Sequence, residues 1–255
     1  MKTTKLLLAI CLTTLNCFSQ GSRIWASYYG GAGSEISYSV ATDASGNVYQ
    51  AGSTFSTTNI ASGGFQNIFG GGLDAFLVKF SAAGVRLWAT YYGGTDEDVA
   101  YSVTTDASGN VYLAGRTKSI TAIASGGFQN THGGGAPFGG DAFLIKFSAA
   151  GNRIWATYYG GAGNDVGRSV ATDASGNVYL AGHTESTAGI SSGGSQNTYG
   201  GGINNAFLVK FNAAGARLWA TYCGGTDNDG GWSVASDASG NVYLAGFSQS
   251  FSGIS

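Results

Sequence analysis

Two sets of side chains in this 255-residue chain have types and spacing that could do chemistry. The first is acidic: Glu35, Asp96, Asp98, Asp165, Asp227 and Asp229, each just after a Gly-Gly step. Hard carboxylate oxygens with loop carbonyls could take Ca²⁺. A pair such as Asp227 and Asp229 could also serve glycoside hydrolysis, which needs two acids at a set separation. The second set is amide and aromatic: Phe65-Gln66-Asn67, Phe128-Gln129-Asn130 and Gln196-Asn197 after Ser195. Amides beside aromatic rings suit recognition of carbohydrate or protein. In the alternative arrangement the rings tuck under their loops and the amides bond to loop backbone.

Both sets recur, and recurrence weakens catalysis. A catalytic pair is asymmetric, whereas these acids return at similar places along the chain. Gly160-Gly161-Ala162-Gly163-Asn164-Asp165 matches the start of a calcium-binding nonapeptide. That motif works in tandem, and here it stands once per long unit, so a β-roll is excluded by period. The acids then either share a Ca²⁺ with loop carbonyls or accept backbone N–H bonds in a tight link. No other cofactor is expected. His132 and His183 hold non-equivalent positions and have no Cys or His partner nearby in sequence, so both are expected to be ordinary loop or surface residues.

The elements that must position these residues follow from the repeat. Trp25, Trp88, Trp155 and Trp219 step by 63, 67 and 64 residues, and so do Asp43, Asp106, Asp173 and Asp237. A unit of this size must stack on its neighbours to bury its faces. Each unit predicts four strands: Ser102 to Thr105, Val111 to Gly115, Asp141 to Phe147 and Arg153 to Tyr159. Tight turns at D-A-S-G-N and S-A-A-G join the first to the second and the third to the fourth. V-Y-L-A-G and A-F-L-I-K-F are apolar on both faces, so each sheet must be covered on both sides. Four-stranded antiparallel sheets stacked around an axis satisfy this as a β-propeller, an all-β fold. The Trp series then fills the space between blades. The link and the long connection between second and third strands share the end away from the tight turns. That end is the expected recognition face.

Counting strands gives a lone fourth strand from Arg23 to Tyr29, three complete blades, and a final pair from Ser233 to Gly246. The expectation is a propeller with partial blades at each end, incomplete or truncated.

The first 19 residues read as a separate object. Lys2 and Lys5 precede a short apolar run, Leu6 to Leu15, and Cys17-Phe18-Ser19 offers small residues for cleavage before Gln20. This predicts a secretory signal peptide over 1–19, a propeller region over 20–255, and a secreted or cell-surface product with no transmembrane span in the mature chain. Cys17 as a lipid-modified residue is the weaker alternative, because Asn16 is a poor neighbour for it. Removing Lys2 and Lys5 takes the formal charge from −2 to −4, with no basic cluster, so nucleic acid is not an expected partner. Cys223 is then the one cysteine left, at a position where other units carry Tyr29, Tyr92 and Tyr159. It reads as a half-buried replacement for tyrosine.

The combined pattern W-A-T-Y-Y-G-G, S-V-x-T-D-A-S-G-N-V-Y-L-A-G, F-Q and D-A-F-L-V-K-F resembles the SBBP β-propeller repeat of bacterial exported proteins. The resemblance covers nearly all of Arg23 to Ser250. It implies an exported or cell-surface scaffold with no established catalytic residues, and C-F-S-Q resembles the signal-peptide ends of Bacteroidetes proteins. The preferred function is a noncatalytic binding or display scaffold recognising protein or glycan. The alternative is part of an extracellular carbohydrate-active enzyme.

Overall fold

The structure is a computed structural model that describes residues 24–134 and 139–253. The expected signal peptide lies outside the described residues. Among the described residues fourteen strands fall into three four-stranded antiparallel sheets and one hairpin. The first sheet is β1 (Glu35–Thr42), β2 (Val48–Thr54), β3 (Asp74–Phe80) and β4 (Arg86–Tyr92). The second is β5 (Asp98–Thr105), β6 (Val111–Thr117), β7 (Asp141–Phe147) and β8 (Arg153–Tyr159). The third is β9 (Asp165–Thr172), β10 (Val178–Thr184), β11 (Asn205–Phe211) and β12 (Arg217–Cys223). The hairpin is β13 (Asp229–Ser236) and β14 (Val242–Ser248). Strand order within each sheet is sequential, as in propeller blades, and the sheets do not close into a ring. Among the described residues no helix is long and apolar enough to cross a membrane.

Side chains on both faces of the strands are buried, as doubly apolar sequences require. Every residue of β3 and β7 is buried. Leu77, Tyr92, Leu113, Phe143 and Phe147 interleave between the first two sheets, and Leu144, Tyr159, Leu180 and Phe207 between the second and third. Burying side chains of this size stabilises by roughly 1.5–3 kcal/mol each. The Trp series joins blades as expected. Trp88 Nε1 donates to Ala149 O and Trp155 Nε1 to Ala213 O, both at 3.1 Å across to the next blade's tight turn. Gly151 and Gly215 in those turns lie flat against the indoles, where a Cβ would press on the ring at 2.9 and 2.8 Å.

The D-A-S-G-N turns form as expected. Asp106 Oδ1 accepts from the Ser108 and Asn110 amides, and Oδ2 accepts from Asn110 Nδ2 and the Tyr112 hydroxyl. Gly109 sits at φ 77, matched by Gly46, Gly176 and Gly240 at 75, 78 and 83. Gly109→Val is expected to lower unfolding stability by about 1 kcal/mol or more, since a β-branched residue is strained at positive φ. Urea unfolding measures it, and an unchanged midpoint would contradict this turn geometry.

Three features differ from the sequence-based expectation. The first strand of each unit begins four residues earlier, at Asp98 rather than Ser102, so the link acids Asp98, Asp165 and Asp229 are strand residues. The segment expected as a lone fourth strand forms no strand over its described residues, because no third strand lies beside it. Trp25 and Tyr29 still dock as their counterparts do: Trp25 Nε1 donates to Ala82 O at 3.1 Å, and the Tyr29 hydroxyl to Ile60 O at 2.6 Å. Finally, the long connection does not stay at one end. It runs back along the outer strand, where Ser62 and Ala89 exchange bonds of 2.8 and 2.9 Å and Tyr91 N donates to Gln66 O at 3.0 Å. The same bonds recur between Ser125 and Ala156 and between Ser192 and Ala220. An otherwise free sheet edge is thereby paired.

Candidate functional site

The link acids separate into two kinds. Asp98, Asp165 and Asp229 are buried, while Asp96 and Asp227 are exposed. Asp98 Oδ2 accepts from Gly94 N and Ser119 Oγ, both at 2.8 Å. Asp165 Oδ2 accepts from Gly161 N at 2.9 Å and Ser186 Oγ at 2.8 Å, while its Oδ1 accepts from Thr184 Oγ1. Asp229 repeats the pattern with Gly225, Ser250 and Ser248, and Glu35 does so with Gly31, Ser56 and Thr54. Each acid therefore pins its link to the end of the second strand, one of the two arrangements open from the sequence. Among the described residues no three His, Cys, Asp or Glu side chains come close enough to hold a metal ion. Asp96 and Asp98 differ in burial, as do Asp227 and Asp229.

A second acid completes the buried sites at Asp98 and Asp165, and no local motif marks it. A Cβ on Gly93 would meet Asp74 Oδ1 and Asp98 Oδ2, each at 2.7 Å. Gly160 lies in the same way between Asp141 and Asp165. In the third blade the partner is an amide, Asn205, facing Asp229 across Gly224. Asp74 and Asp141 accept from Gly70 N and Gly133 N at 2.7 Å, yet among the described residues their buried Oδ1 atoms find no hydrogen-bond partner. Burial, reinforced by Asp98, pushes Asp74 up to about 7. Burial pushes Asp141 to about 7, and burial with the nearby Asp141 charge pushes Asp165 to about 7. Asp98 rises to about 6 for the same primary reason, with Asp96 adding to it.

The loop amides are committed to their own connections. Gln66 Nε2 donates to Ile68 O at 3.0 Å and its Oε1 accepts from Gly93 N at 3.2 Å. Gln129 donates to Thr131 O and to Asp141 Oδ2, and Gln196 to Thr198 O and Gly224 O. Asn67, Asn130 and Asn197 each donate to the carbonyl three residues back, at 3.0, 3.1 and 2.8 Å. Phe65 and Phe128 remain part exposed, and each carries an arginine of the next blade on its ring: Arg153 at 4.4 Å and Arg217 at 4.3 Å. These residues lie one set per blade along the outer edge and do not converge.

His132 is a loop residue, as expected, with its side chain turned inward. Its side chain is buried against Tyr158, ring centroids 5.4 Å apart, in the place that Phe69 and Tyr199 take on Tyr91 and Tyr222. His183 is half-buried on β10, and burial together with Arg168 and Arg116 holds it down at about 4. Burial raises the Cys223 thiol to about 11, so it is not a thiolate at neutral pH.

The residues that the sequence pattern did not single out lie on the inner strands. The register of β1, β5, β9 and β13 against its neighbour slips by one residue, at Tyr38, Tyr101, Arg168 and Trp232. A bulge re-aims its extra side chain. Here the four form an unbroken row. Tyr38 and Tyr101 meet edge to face at 5.2 Å. The Arg168 guanidinium lies 4.6 Å from the Tyr101 ring and 5.5 Å from the Trp232 ring. The signal was present: in units that otherwise repeat almost verbatim, this position changes from Tyr to Arg to Trp.

Residues 87–120 and 154–187 match the SBBP family, described as a beta-propeller repeat. An uncharacterized WD repeat-containing protein, L264, of Acanthamoeba polyphaga mimivirus is 29% identical over 177 residues, 65% of this chain and 13% of that protein. The regulatory protein FlaEY of Caulobacter vibrioides is 27% identical over 194 residues, 71% of this chain and 20% of that protein. The chain thus spans a fifth or less of the length of these relatives.

Proposed function

We propose that this chain is a noncatalytic binding scaffold, exported to the cell surface, whose partner is a protein or a glycan. The observation that carries the reading is how the polar groups are used. Link acids and loop amides recur from blade to blade and are bonded into the frame. One position whose side chain differs between blades, Tyr38, Tyr101, Arg168 and Trp232, forms a row on the inner strands, where Tyr38 and Trp232 are about half exposed. A frame built alike that carries a varied row of side chains is the design of a recognition protein. The two SBBP repeat matches and the WD-repeat relative accord with a scaffold. The leader-like first 19 residues support export.

The test is capture by the purified, folded chain on paired glycan and surface-protein arrays. Saturable capture of a partner, without chemical change in it, is the expected result. Turnover of a captured glycan would overturn the noncatalytic reading.

A further inference from the structure

The inner row has the composition of a ligand site with one charge. Among the described residues, no acid pairs with Arg168, and its buried Nε–H has no acceptor. Arg116, on β6, also has a buried Nε–H without an acceptor. Glu97 is already held by Lys118 at 2.7 Å and Arg116 at 3.4 Å, so it leaves Arg168 unanswered. His183 stands near both guanidinium groups and is neutral above about pH 4. A guanidinium with open donors is a fork for a carboxylate. The rings beside it supply apolar surface on either side.

The wall also selects against an extended peptide. Each inner strand is the edge of its sheet, which would ordinarily invite another strand. Along β5, β9 and β13 the neighbouring blades have taken edge groups instead. Val103 N donates to Ser39 Oγ, Val170 N to Ser102 Oγ and Val234 N to Ser169 Oγ, all at 3.1 Å. Thr105, Thr172 and Ser236 hydroxyls donate to Thr42, Thr105 and Thr172 carbonyls at 2.9, 3.0 and 3.0 Å. A ligand there must be held by side chains, through a flat apolar face and an anion.

We propose that Tyr38, Tyr101, Arg168 and Trp232 form a binding site for an acidic sugar, with a uronate carboxylate on Arg168 and ring faces of the oligosaccharide on the flanking aromatics. This rests on the scaffold reading above and names its ligand class.

The experiment is calorimetric titration of the full chain at low salt with three probes: an oligogalacturonate, a neutral galacto-oligosaccharide of equal length, and an aspartate-rich peptide. The oligogalacturonate should bind at least about tenfold more tightly than the neutral sugar, as loss of a charge-assisted bidentate bond costs at least that much. Arg168→Gln and Trp232→Ala should each weaken it about tenfold or more while leaving the thermal unfolding midpoint near wild type. Arg168→Lys, which keeps the charge and loses the fork, should recover only part of the affinity. Absence of oligogalacturonate binding by folded wild type, or unchanged affinity in Arg168→Gln, overturns the proposal. Preference for the peptide overturns it in favour of a polypeptide ligand. If the chain ignores oligogalacturonate yet captures another partner on the arrays, the sugar site falls and the scaffold reading stands; if it captures nothing, both fall.

Discussion

Stability should fall as pH rises from about 5 to 8, against the usual behaviour of a weakly acidic protein. The cause is the buried carboxylates Asp74, Asp98, Asp141 and Asp165, raised by burial to about 7, 6, 7 and 7. In the unfolded chain these groups titrate near about 3.9. Between roughly pH 4 and 7 the folded state therefore binds more protons than the unfolded state. Their stabilising contribution is full below about pH 4 and is lost as pH climbs through the folded values. One unit of pKa corresponds to about 1.4 kcal/mol, and because the acids in each pair share their burial and charge the shifts do not add, leaving on the order of a few kcal/mol for the four together. His183 and His132, both held down by burial, pull the other way below about pH 6.5, so the slope is shallower there. Glu97 and Asp173, whose values lie below the usual range, have finished titrating by about pH 5. Urea unfolding at pH 5 and pH 8 reads the difference. Asp74→Asn with Asp141→Asn isolates it. The third blade already carries Asn205 there; with its amide turned so that oxygen meets donor and nitrogen meets acceptor, it accepts from Gly200 N at 3.1 Å and donates to Gly201 O at 2.7 Å. The double variant should be more stable than wild type at pH 8 and flatter with pH. A wild type as stable at pH 8 as at pH 5, with the variant unchanged, would show that these acids are not enclosed as described.

Gly115→Ala is expected to cost about 3 kcal/mol or more, in the range reserved for severe overpacking. Gly115 is paired with Ala100 beside the Tyr101 bulge. The bulge brings the β5 backbone over β6 so closely that a Cβ would run into the Val99 carbonyl oxygen. It would also lie 2.8 Å from the Val99 carbonyl carbon and 2.9 Å from Ala100 Cα. These are backbone atoms and cannot swing aside. Gly52, Gly182 and Gly246 are held the same way against Ile36, Val166 and Gly230. Gly126→Ala provides the contrast. A Cβ there meets nothing within 4 Å, and only its φ of 69 opposes the change, at about 1 kcal/mol. Paired urea titrations decide it. Equal midpoints for Gly115→Ala and wild type would refute the bulge, and with it the row from Tyr38 to Trp232.

Much of this architecture was legible in the chain itself, and the reasons are local. D-A-S-G-N specifies a turn through its own Asp and Gly, so Asp106 to Asn110 came out as expected. Third and fourth strands, bounded by tight turns and apolar throughout, fall at Asp141–Phe147 and Arg153–Tyr159. What escaped depends on partners distant in sequence. Asp98-Val99-Ala100 resembles a link until Arg116 and Thr117 are placed beside it. Ser62 looks like loop until Ala89 is brought alongside. Asp74 opens a strand in sequence, and its pairing with Asp98 exists only once Gly93 has been folded between them. Leu6 to Leu15 carries the export reading and lies outside the described residues.

The connection that borders each outer strand has a bearing on how such a chain can change size. Every unit brings its own hem: Ser62 closes on Ala89, Ser125 on Ala156, Ser192 on Ala220. Inserting or deleting one unit leaves no raw selvedge for a stranger to stitch onto, because the border is copied with the cloth. Gene duplication can then lengthen the arc in whole steps without first solving an aggregation problem, and near-verbatim units are what recent copying of that kind would leave behind.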